Sequence, residues 1–215
     1  MQVSELDILE KIKTVAEKIP NFFFVQVGGF DGTTDDPLYD MVMSYKWSGI
    51  IVEPMREAFE RLIQNYIKNK KCILEKVAIA GIRGERKFYS IKDTFNELPY
   101  WTKQLGSFHR EVILKHKKWV RDIEKYIVEE KVSAVTFSDL FTKHNISKIS
   151  LLCLDVEGSD FELLSSFDFS RYKPELVLFE HKHLREEEKQ KSFRLLKDKG
   201  YSFMHLSTDS LAFLV

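Results

Sequence analysis

The chain has 215 residues, enough for one α/β domain with a sizeable core, and 44% of them are hydrophobic, which excludes a disordered protein. Its 33 basic and 33 acidic side chains balance, so no global field attracts nucleic acid or an anionic membrane, and we expect no nucleic-acid partner. No apolar stretch approaches the ~20 residues that span a bilayer, and the first residues lack the pattern of a signal peptide. These features predict a cytoplasmic protein without a transmembrane segment.

Helical and strand patterns alternate along the first ninety residues. Ser4 can cap a first helix that Pro20 ends. The predicted strands are short, almost wholly apolar runs, which are typical of a parallel sheet covered on both faces. The predicted elements are a helix over 5–18, a strand over 22–27, a helix over 37–45, a strand over 49–52, a helix that begins at Pro54, a strand over 72–79, a turn over 81–84 and a strand over 86–91.

The alternation is interrupted between residues 93 and 131. Residues 96–108 have the composition of a loop, and residues 111–130 have a strongly helical pattern rich in Lys and His. Segments inserted into a rigid α/β scaffold commonly form lids over a substrate. We therefore expect a single domain over 1–215 with an inserted lid-like segment over 93–131.

The alternation resumes after the insertion and ends in two strands. The predicted elements are helices over 138–144, 160–166 and 189–200, strands over 149–155 and 176–180, and an antiparallel pair over 201–206 and 210–215. Together they predict a doubly wound α/β fold, in which a mostly parallel sheet carries helices on both faces and ends in an antiparallel C-terminal hairpin.

A glycine-rich turn and several acidic residues follow the predicted strands. The first strand leads into Gly-Gly-Phe-Asp-Gly over 28–32, and Glu53 ends the second strand about 20 positions further on. An acid at that place can bind both hydroxyls of a ribose. Asp155, Glu157 and Glu180 follow later strands, and parallel strands end at one edge of a sheet. The pattern therefore predicts a nucleoside site, although glycines also form simple turns and carboxylates cap helices.

These motifs resemble the FkbM family of S-adenosylmethionine-dependent methyltransferases. The resemblance extends from about residue 20 to the C-terminus and is most specific in Asp-Val-Glu-Gly over 155–158 and in Glu53-Pro54. The matching segments are 25–32, 36–39, 49–54, 105–108 and 154–160. The resemblance implies the seven-stranded sheet of class I methyltransferases, S-adenosylmethionine as cofactor, and methylation of a hydroxyl on a sugar, glycan or secondary metabolite.

Residue roles follow from the same resemblance. It places the methionine part of the cofactor against the glycine turn, the ribose on Glu53, the adenine near Ala78 and the reaction centre at Asp155. The residues implied to bind the cofactor are Gln26, Gly28, Gly29, Asp31, Gly32, Glu53, Pro54, Ala78 and Asp155. Relatives typically carry Ala-Asn where this chain has Gly29-Phe30, so the bulky ring of Phe30 either packs against the cofactor or partly obstructs it.

Methyl transfer to a hydroxyl requires removal of its proton, and the predicted catalytic residues are Asp155, His181 and Glu157. Asp155 is the first candidate for the base, and the alternative is that it only caps a helix or holds the cofactor. His181 stands beside Glu180, and an imidazole suits base catalysis at neutral pH. Asp155, Glu180 and His181 are an alternative set of ligands for a divalent cation, but no ligand spacing requires one and no metal is predicted.

The inserted segment mixes aromatic and basic side chains. Trp101, Ser107, His109 and His116 are predicted to contact a small-molecule or glycan acceptor, because aromatic faces stack on sugar rings. The open alternative is an amphipathic cover helix. Two other classes of protein are considered: a non-catalytic or degenerate nucleoside-binding domain of the same fold, and a nicotinamide-dependent oxidoreductase. The second is disfavoured because the turn lacks the usual G-x-G-x-x-G frame.

Overall fold

The structure is a computed structural model that describes residues 3–214. Met1 and Gln2 at the start of the predicted domain, and Val215 at the end of the predicted last strand, lie outside the described residues. The helices are α1 (Glu5–Ala16), α2 (Tyr39–Tyr45), α3 (Arg56–Tyr66), α4 (Arg110–Leu114), α5 (Phe137–Lys143), α6 (Asp160–Ser166) and α7 (Glu186–Asp198). The strands are β1 (Phe23–Val27), β2 (Ser48–Val52), β3 (Cys72–Glu75), β4 (Ala78–Ile79), β5 (Gly84–Ile91), β6 (Gly106–Ser107), β7 (Ile127–Val135), β8 (Leu151–Leu154), β9 (Leu176–Glu180), β10 (Tyr201–His205) and β11 (Asp209–Leu214).

The main sheet has seven strands in the order β10-β11-β9-β8-β1-β2-β3. Strands β3, β2, β1, β8 and β9 are parallel to one another, whereas β11 is antiparallel to both β9 and β10. The predicted fold class, a mostly parallel seven-stranded sheet that ends in an antiparallel hairpin, is confirmed.

Alternate residues of the strands build two cores, one on each face of the main sheet. Val25 and Val27 pack in the same cluster as residues of α5, α6 and α7. Phe24 packs on the opposite face with residues of α1, α2 and α3. Because successive side chains of a strand point to opposite faces, both covered faces require the nearly continuous apolar runs seen in the sequence.

Helix α1 begins with a capping box, in which Ser4 accepts a hydrogen bond from the backbone N–H of Asp7 and Asp7 accepts one from that of Ser4. It ends at Ala16, two residues before the predicted end. Pro54 lies before the N-cap of α3 at Met55 rather than at the start of the helix. Helix α7 begins at Glu186, three residues before the predicted start. None of the helices over residues 3–214 is long and apolar enough to cross a bilayer.

The predicted strand over 72–79 is wrong, because it is two strands in two sheets. Strand β3 completes the main sheet, whereas β4 pairs with β7 in a second sheet of order β4-β7-β5-β6. The predicted turn over 81–84 does not join a hairpin either, since β5 pairs antiparallel with β7, from Gly84 opposite Ala134 to Ile91 opposite Ile127. Glu75 and Lys76 interrupt the apolar run at the point where the two strands part.

The predicted helix over 111–130 is also wrong. Helix α4 ends at Leu114, short 3-10 turns follow over Lys115–Lys118 and Ile123–Lys125, and β7 begins at Ile127. Most of the Lys and His residues that gave this region its helical pattern lie in the first of these turns, and only its last charged residues, Glu129 and Glu130, belong to β7. Glu129 pairs with Lys87 of β5 (2.7 Å), as cross-strand partners of opposite charge do.

Candidate active site

A cavity of about 750 Å³ lies at the carboxyl ends of β1, β2 and β8. Its floor is formed by the turn after β1 and by the residues that follow β2 and β8. The apolar wall comes from the second sheet, and residues of α1 and of the turn between β10 and β11 close the cavity. Ligands of doubly wound sheets bind at this edge, where neighbouring connections diverge to opposite faces.

Two glycines allow the strand ends to approach each other closely. Gly28 has a φ of +85°, and a Cβ there would lie 1.7 Å from the backbone oxygen of Asp155. A Cβ on Gly29 would lie 2.3 Å from Cγ2 of Ile51. The N–H groups of both glycines donate to the carbonyl of Val52 at 3.0 and 3.1 Å. The turn therefore presents backbone without side chains to the cavity.

Glu53 lines the cavity at the end of β2 and is 3% exposed. Its Oε2 accepts the backbone N–H of Phe30 and its Oε1 accepts that of Met55, both at 2.8 Å. Burial raises the pKa of Glu53 to about 7 despite these bonds. Each carboxylate oxygen has two lone pairs, so both oxygens keep acceptor capacity for a ligand.

Gln26 and Asp36 form the polar wall near the glycine turn. The side-chain amide of Gln26 donates to Oδ2 of Asp36 (3.1 Å), and burial raises the pKa of Asp36 to about 6. Oε1 of Gln26 is buried and has no hydrogen-bond partner within residues 3–214. A buried acceptor left free at a cavity wall is suited to a ligand donor such as an amino group.

Phe30 lies in the left-handed region with a φ of +43° and is 8% exposed. Its ring belongs to the apolar cluster that includes Met55, Ala78 and Phe88, and the guanidinium of Arg61 lies 5.0 Å from the ring centroid. Phe30 touches the cavity from this cluster and is part of its wall.

Asp155 follows β8 and lines the cavity. Although the side chain is open to this space, protein surrounds it. This burial and the nearby Asp209 raise the pKa of Asp155 to about 7, while the ammonium of Lys182 opposes the shift. A carboxyl group with such a pKa is divided between its neutral and ionised forms at neutral pH and can take up a proton there.

Three further carboxyl groups lie beside Asp155. Burial and Asp155 raise the pKa of Glu157 to about 8, and burial with the surrounding acids raises that of Glu180 to about 10. Asp160 is fully buried, has no hydrogen-bond partner for its side-chain oxygens within the described chain, and its pKa is raised by burial and by Asp155. Acids packed this closely cannot all be ionised together.

His181 is not brought to the cavity, contrary to its predicted catalytic position. Its ring packs 6.1 Å from that of Phe179 and 5.7 Å from that of Phe193. Glu180 lines the cavity, so the next side chain of the extended segment points away from it. His183 is the histidine near the acids, with Nε2 3.1 Å from Oε2 of Glu157.

The four residues predicted to contact the acceptor do not line the cavity. Ser107 is buried and donates to the backbone oxygen of Glu157 (2.7 Å), and His109 is half-exposed beside Glu111. The ring of Trp101 lies 5.3 Å from that of the buried His116. The inserted segment reaches the cavity instead through Gln104, Gly106 and Phe108.

Most of the residues predicted to hold the cofactor do line the cavity, and two do not. Burial alone would raise the pKa of Asp31, but hydrogen bonds from Thr34 and Thr33 outweigh it and lower the pKa. The carboxylate of Asp31 thus stabilises the loop that contains Thr33 and Thr34. Gly32 packs against Leu62 and Tyr66. The residues that line the cavity are Gln26, Gly28, Gly29, Glu53, Pro54, Ala78 and Asp155.

Sequence reasoning did not identify Met55, Phe88 and Lys182, which line the cavity, and it preferred His181 to His183. Phe88 reaches the cavity only because the second sheet packs against it, and no local pattern shows this. Met55 reaches it from the end of β2, two residues after Glu53. Lys182 and His183 directly follow the carboxylate strand end at Glu180. Their position relative to that strand end was the available signal.

Comparison with known proteins gives one family and several distant structures. The model of the methyltransferase FkbM domain matches residues 26–203. Among curated proteins, no relative was detected. A methyltransferase FkbM from Methylobacillus flagellatus shares 12% identity at a TM-score of 0.55 over 91% of this chain and 45% of its own. This chain thus spans less than half of that protein.

Two other solved structures have similar folds. The N-terminal domain of human METTL16 shares 9% identity at a TM-score of 0.50, over 97% of this chain and 69% of its own. An S-adenosylmethionine-dependent O-methyltransferase from Thermotoga maritima shares 10% identity at a TM-score of 0.49, over 100% and 67%. At 9% identity the likeness to the METTL16 domain concerns the fold alone.

Proposed function

The chain belongs to the FkbM methyltransferase family, and on this premise we propose that it is an S-adenosylmethionine-dependent O-methyltransferase. The proposed acceptor is a hydroxyl group of a sugar, glycan or secondary metabolite. The observation that carries the proposal is that Glu53 and Asp155, from the ends of β2 and β8, line one cavity together with the turn at Gly28 and Gly29.

The residues of the cavity fit S-adenosylmethionine, the cofactor of class I methyltransferases. The carboxylate of Glu53 has free lone pairs for the two ribose hydroxyls, and the unpartnered Oε1 of Gln26 suits the amino group of the methionine part. Ala78 and Phe88 offer an apolar surface to adenine. When bound, the cofactor supplies an electrophilic methyl group to the acceptor oxygen.

Asp155 is the proposed base. It lies at a strand end that faces the cavity, and its pKa of about 7 lets the carboxylate accept the hydroxyl proton at neutral pH. The apolar and aromatic wall limits access of water, which would compete with the acceptor. Glu157 supports Asp155 electrostatically, because a negative charge at either group raises the proton affinity of the other.

The chemistry of the acceptor side favours a neutral polyol. Asp155, Glu157 and Glu180 line the cavity. Neutral and ionised carboxyl groups both form hydrogen bonds with hydroxyls, whereas those that are ionised repel phosphates. A sugar or a small hydroxylated molecule is therefore the proposed acceptor, and nucleic acid is not. We further propose that residues 1–215 act as one domain, whose inserted segment over 93–131 covers the acceptor through Phe108 and Gln104.

The test is transfer of an isotopically labelled methyl group from S-adenosylmethionine to a panel of monosaccharides, glycans and hydroxylated small molecules. Methyl ethers formed by wild type but not by Asp155→Asn support the proposal. Cofactor binding without transfer to any acceptor of the panel would instead favour the alternative, a nucleoside-binding domain that has lost catalysis.

A further inference from the structure

Two buried histidines lie beside the acidic residues at the cavity. Within the described residues, ring nitrogens of both histidines lack a hydrogen-bond partner. His116 is 5% exposed and His183 is 7% exposed. Neither ring nitrogen of His116, nor Nε2 of His183, has a hydrogen-bond partner within the described residues. Imidazole nitrogens buried in this way lose their hydration without compensation, which points to a missing partner.

The two histidines and Glu157 are close enough to share one ion. One nitrogen of each ring and one carboxylate oxygen of Glu157 all lie within 4.8 Å of one another. Nε2 of His183 lies 3.1 Å from Oε2 of Glu157, but neither atom makes a hydrogen bond within the described residues. Bonds from such atoms to a metal ion are usually about 2.1 Å long. An ion at that distance from both atoms would have a ligand–metal–ligand angle of roughly 95°, within the range of octahedral and tetrahedral sites.

Glu180 can supply a fourth donor atom to the ion. Oε1 of Glu180 lies 3.8 Å from Nε2 of His183, and the other oxygen of Glu180 has no hydrogen-bond partner in residues 3–214. The carboxylates offset the positive charge of an ion and of Lys115, whose ammonium is bound to the backbone oxygen of His183 (3.0 Å). The donor set of two imidazoles and two carboxylates suits first-row transition metals better than Mg²⁺, which prefers oxygen.

We propose that His116, Glu157 and His183, with Glu180 as a further ligand, form a binding site for a divalent transition-metal ion such as Zn²⁺. His116 belongs to the inserted segment, whereas Glu157 and His183 follow β8 and β9. The ion therefore links the inserted segment to the strand ends. Because Glu157 also lines the cavity, the linkage is made at the cavity wall.

The site differs from the ligand set considered from the sequence, which combined Asp155 and Glu180 with His181. The structure separates His181 from these acids and brings in His116, which is distant in sequence. No metal-site spacing is visible in the sequence because the ligands come from three separate connections.

The experiment measures metal binding directly, on protein without an affinity tag, stripped with a chelator and free of S-adenosylmethionine. Calorimetry with Zn²⁺ reports stoichiometry and affinity, and visible d–d absorption with Co²⁺ reports the ligands. The variants are His116→Gln and His183→Gln, and His109→Gln is the matched control, since His109 lies in the same inserted segment but is solvated. Circular dichroism verifies that each variant is folded.

We expect one Zn²⁺ per chain, a loss of affinity of at least tenfold in each of the two variants, and unchanged affinity in the control. Co²⁺ should give absorption that both variants lose. Absence of saturable binding by the folded wild type would overturn the proposal, as would equal affinity of His116→Gln and the control. Neither outcome depends on methyl transfer, so the metal site and the proposed activity are tested independently of each other.

Discussion

Gly28 faces the backbone carbonyl of Asp155 so closely that a Cβ at position 28 would lie 1.7 Å from the oxygen. The contact joins the end of β1 to the end of β8, where the glycine turn and the proposed base meet. Its consequence is that no side chain fits at position 28 without displacing Asp155.

Gly28→Ala should therefore destabilise the protein strongly. The φ of +85° costs about 1–2 kcal/mol for alanine, and the collision adds to this cost. Gly200→Ala is the matched control, because Gly200 has a similar φ of +92° but nothing within 4 Å of a Cβ. Urea unfolding should show a loss at Gly28 at least about 2 kcal/mol larger than at Gly200. Equal losses would mean that the turn relaxes freely.

The sequence predicted the parallel sheet well because its strands are buried on both faces and have apolar runs bounded by turns. It also brought Glu53, Asp155 and the glycines to one edge, since parallel strands end together. The second sheet was not predictable in the same way. The Lys- and His-rich turn over 115–118 just before β7 has the composition of a helix, and the partner of β7, β5, lies about forty residues away in the chain. The sequence favoured His181 over His183, because the position of His183 beside the acids depends on how the segment after β9 bends.

Phe30→Ala should lower stability without raising cofactor affinity. The ring packs in the cluster with Met55 and Ala78, and truncation of a buried Phe costs about 3–5 kcal/mol. Thermal unfolding measures that loss, and calorimetry with S-adenosylmethionine measures the affinity. If the ring obstructs the cofactor, the variant will instead bind more tightly than wild type.

Asp155→Asn should reduce methyl transfer by about 10²–10⁴-fold, because an amide cannot accept the hydroxyl proton. The wild-type kcat/KM should rise with pH through about 7, where Asp155 ionises, and this rise should disappear in the residual activity of the variant. A variant with more than a tenth of wild-type activity would show that Asp155 only positions the ligands.

The acids that line the cavity should make the metal-free protein less stable as pH rises from about 6.5 to 8. The pKa values of Glu53 (about 7), Asp155 (about 7) and Glu157 (about 8) are raised on folding. The folded state thus holds more protons than the unfolded state, and this stability is lost as pH rises through those values. Burial lowers the pKa of His183 to about 4. This shift makes stability increase with pH, but only at pH values below this window.

Asp160→Asn should flatten that dependence. Burial raises the pKa of Asp160, so removing its ionisation should reduce the slope of unfolding free energy by up to about 1.4 kcal/mol per pH unit. Asp168→Asn is the control, because hydrogen bonds from Ser170 lower the pKa of Asp168 and place its titration outside the window. Denaturant unfolding at several pH values measures both slopes, and an unchanged slope in Asp160→Asn would contradict the account.

The most direct test of the central claim is calorimetric titration of the protein with S-adenosylmethionine, and in parallel with NAD. The variants are Glu53→Gln and, as control, Glu75→Gln, which alters an acid at the end of the neighbouring strand β3 that pairs with Lys143 and His144 outside the cavity. We predict saturable binding of S-adenosylmethionine alone, weakened at least tenfold by Glu53→Gln and unchanged in the control. No binding by the folded wild type, or equal affinities of the two variants, would contradict a cofactor site built on Glu53.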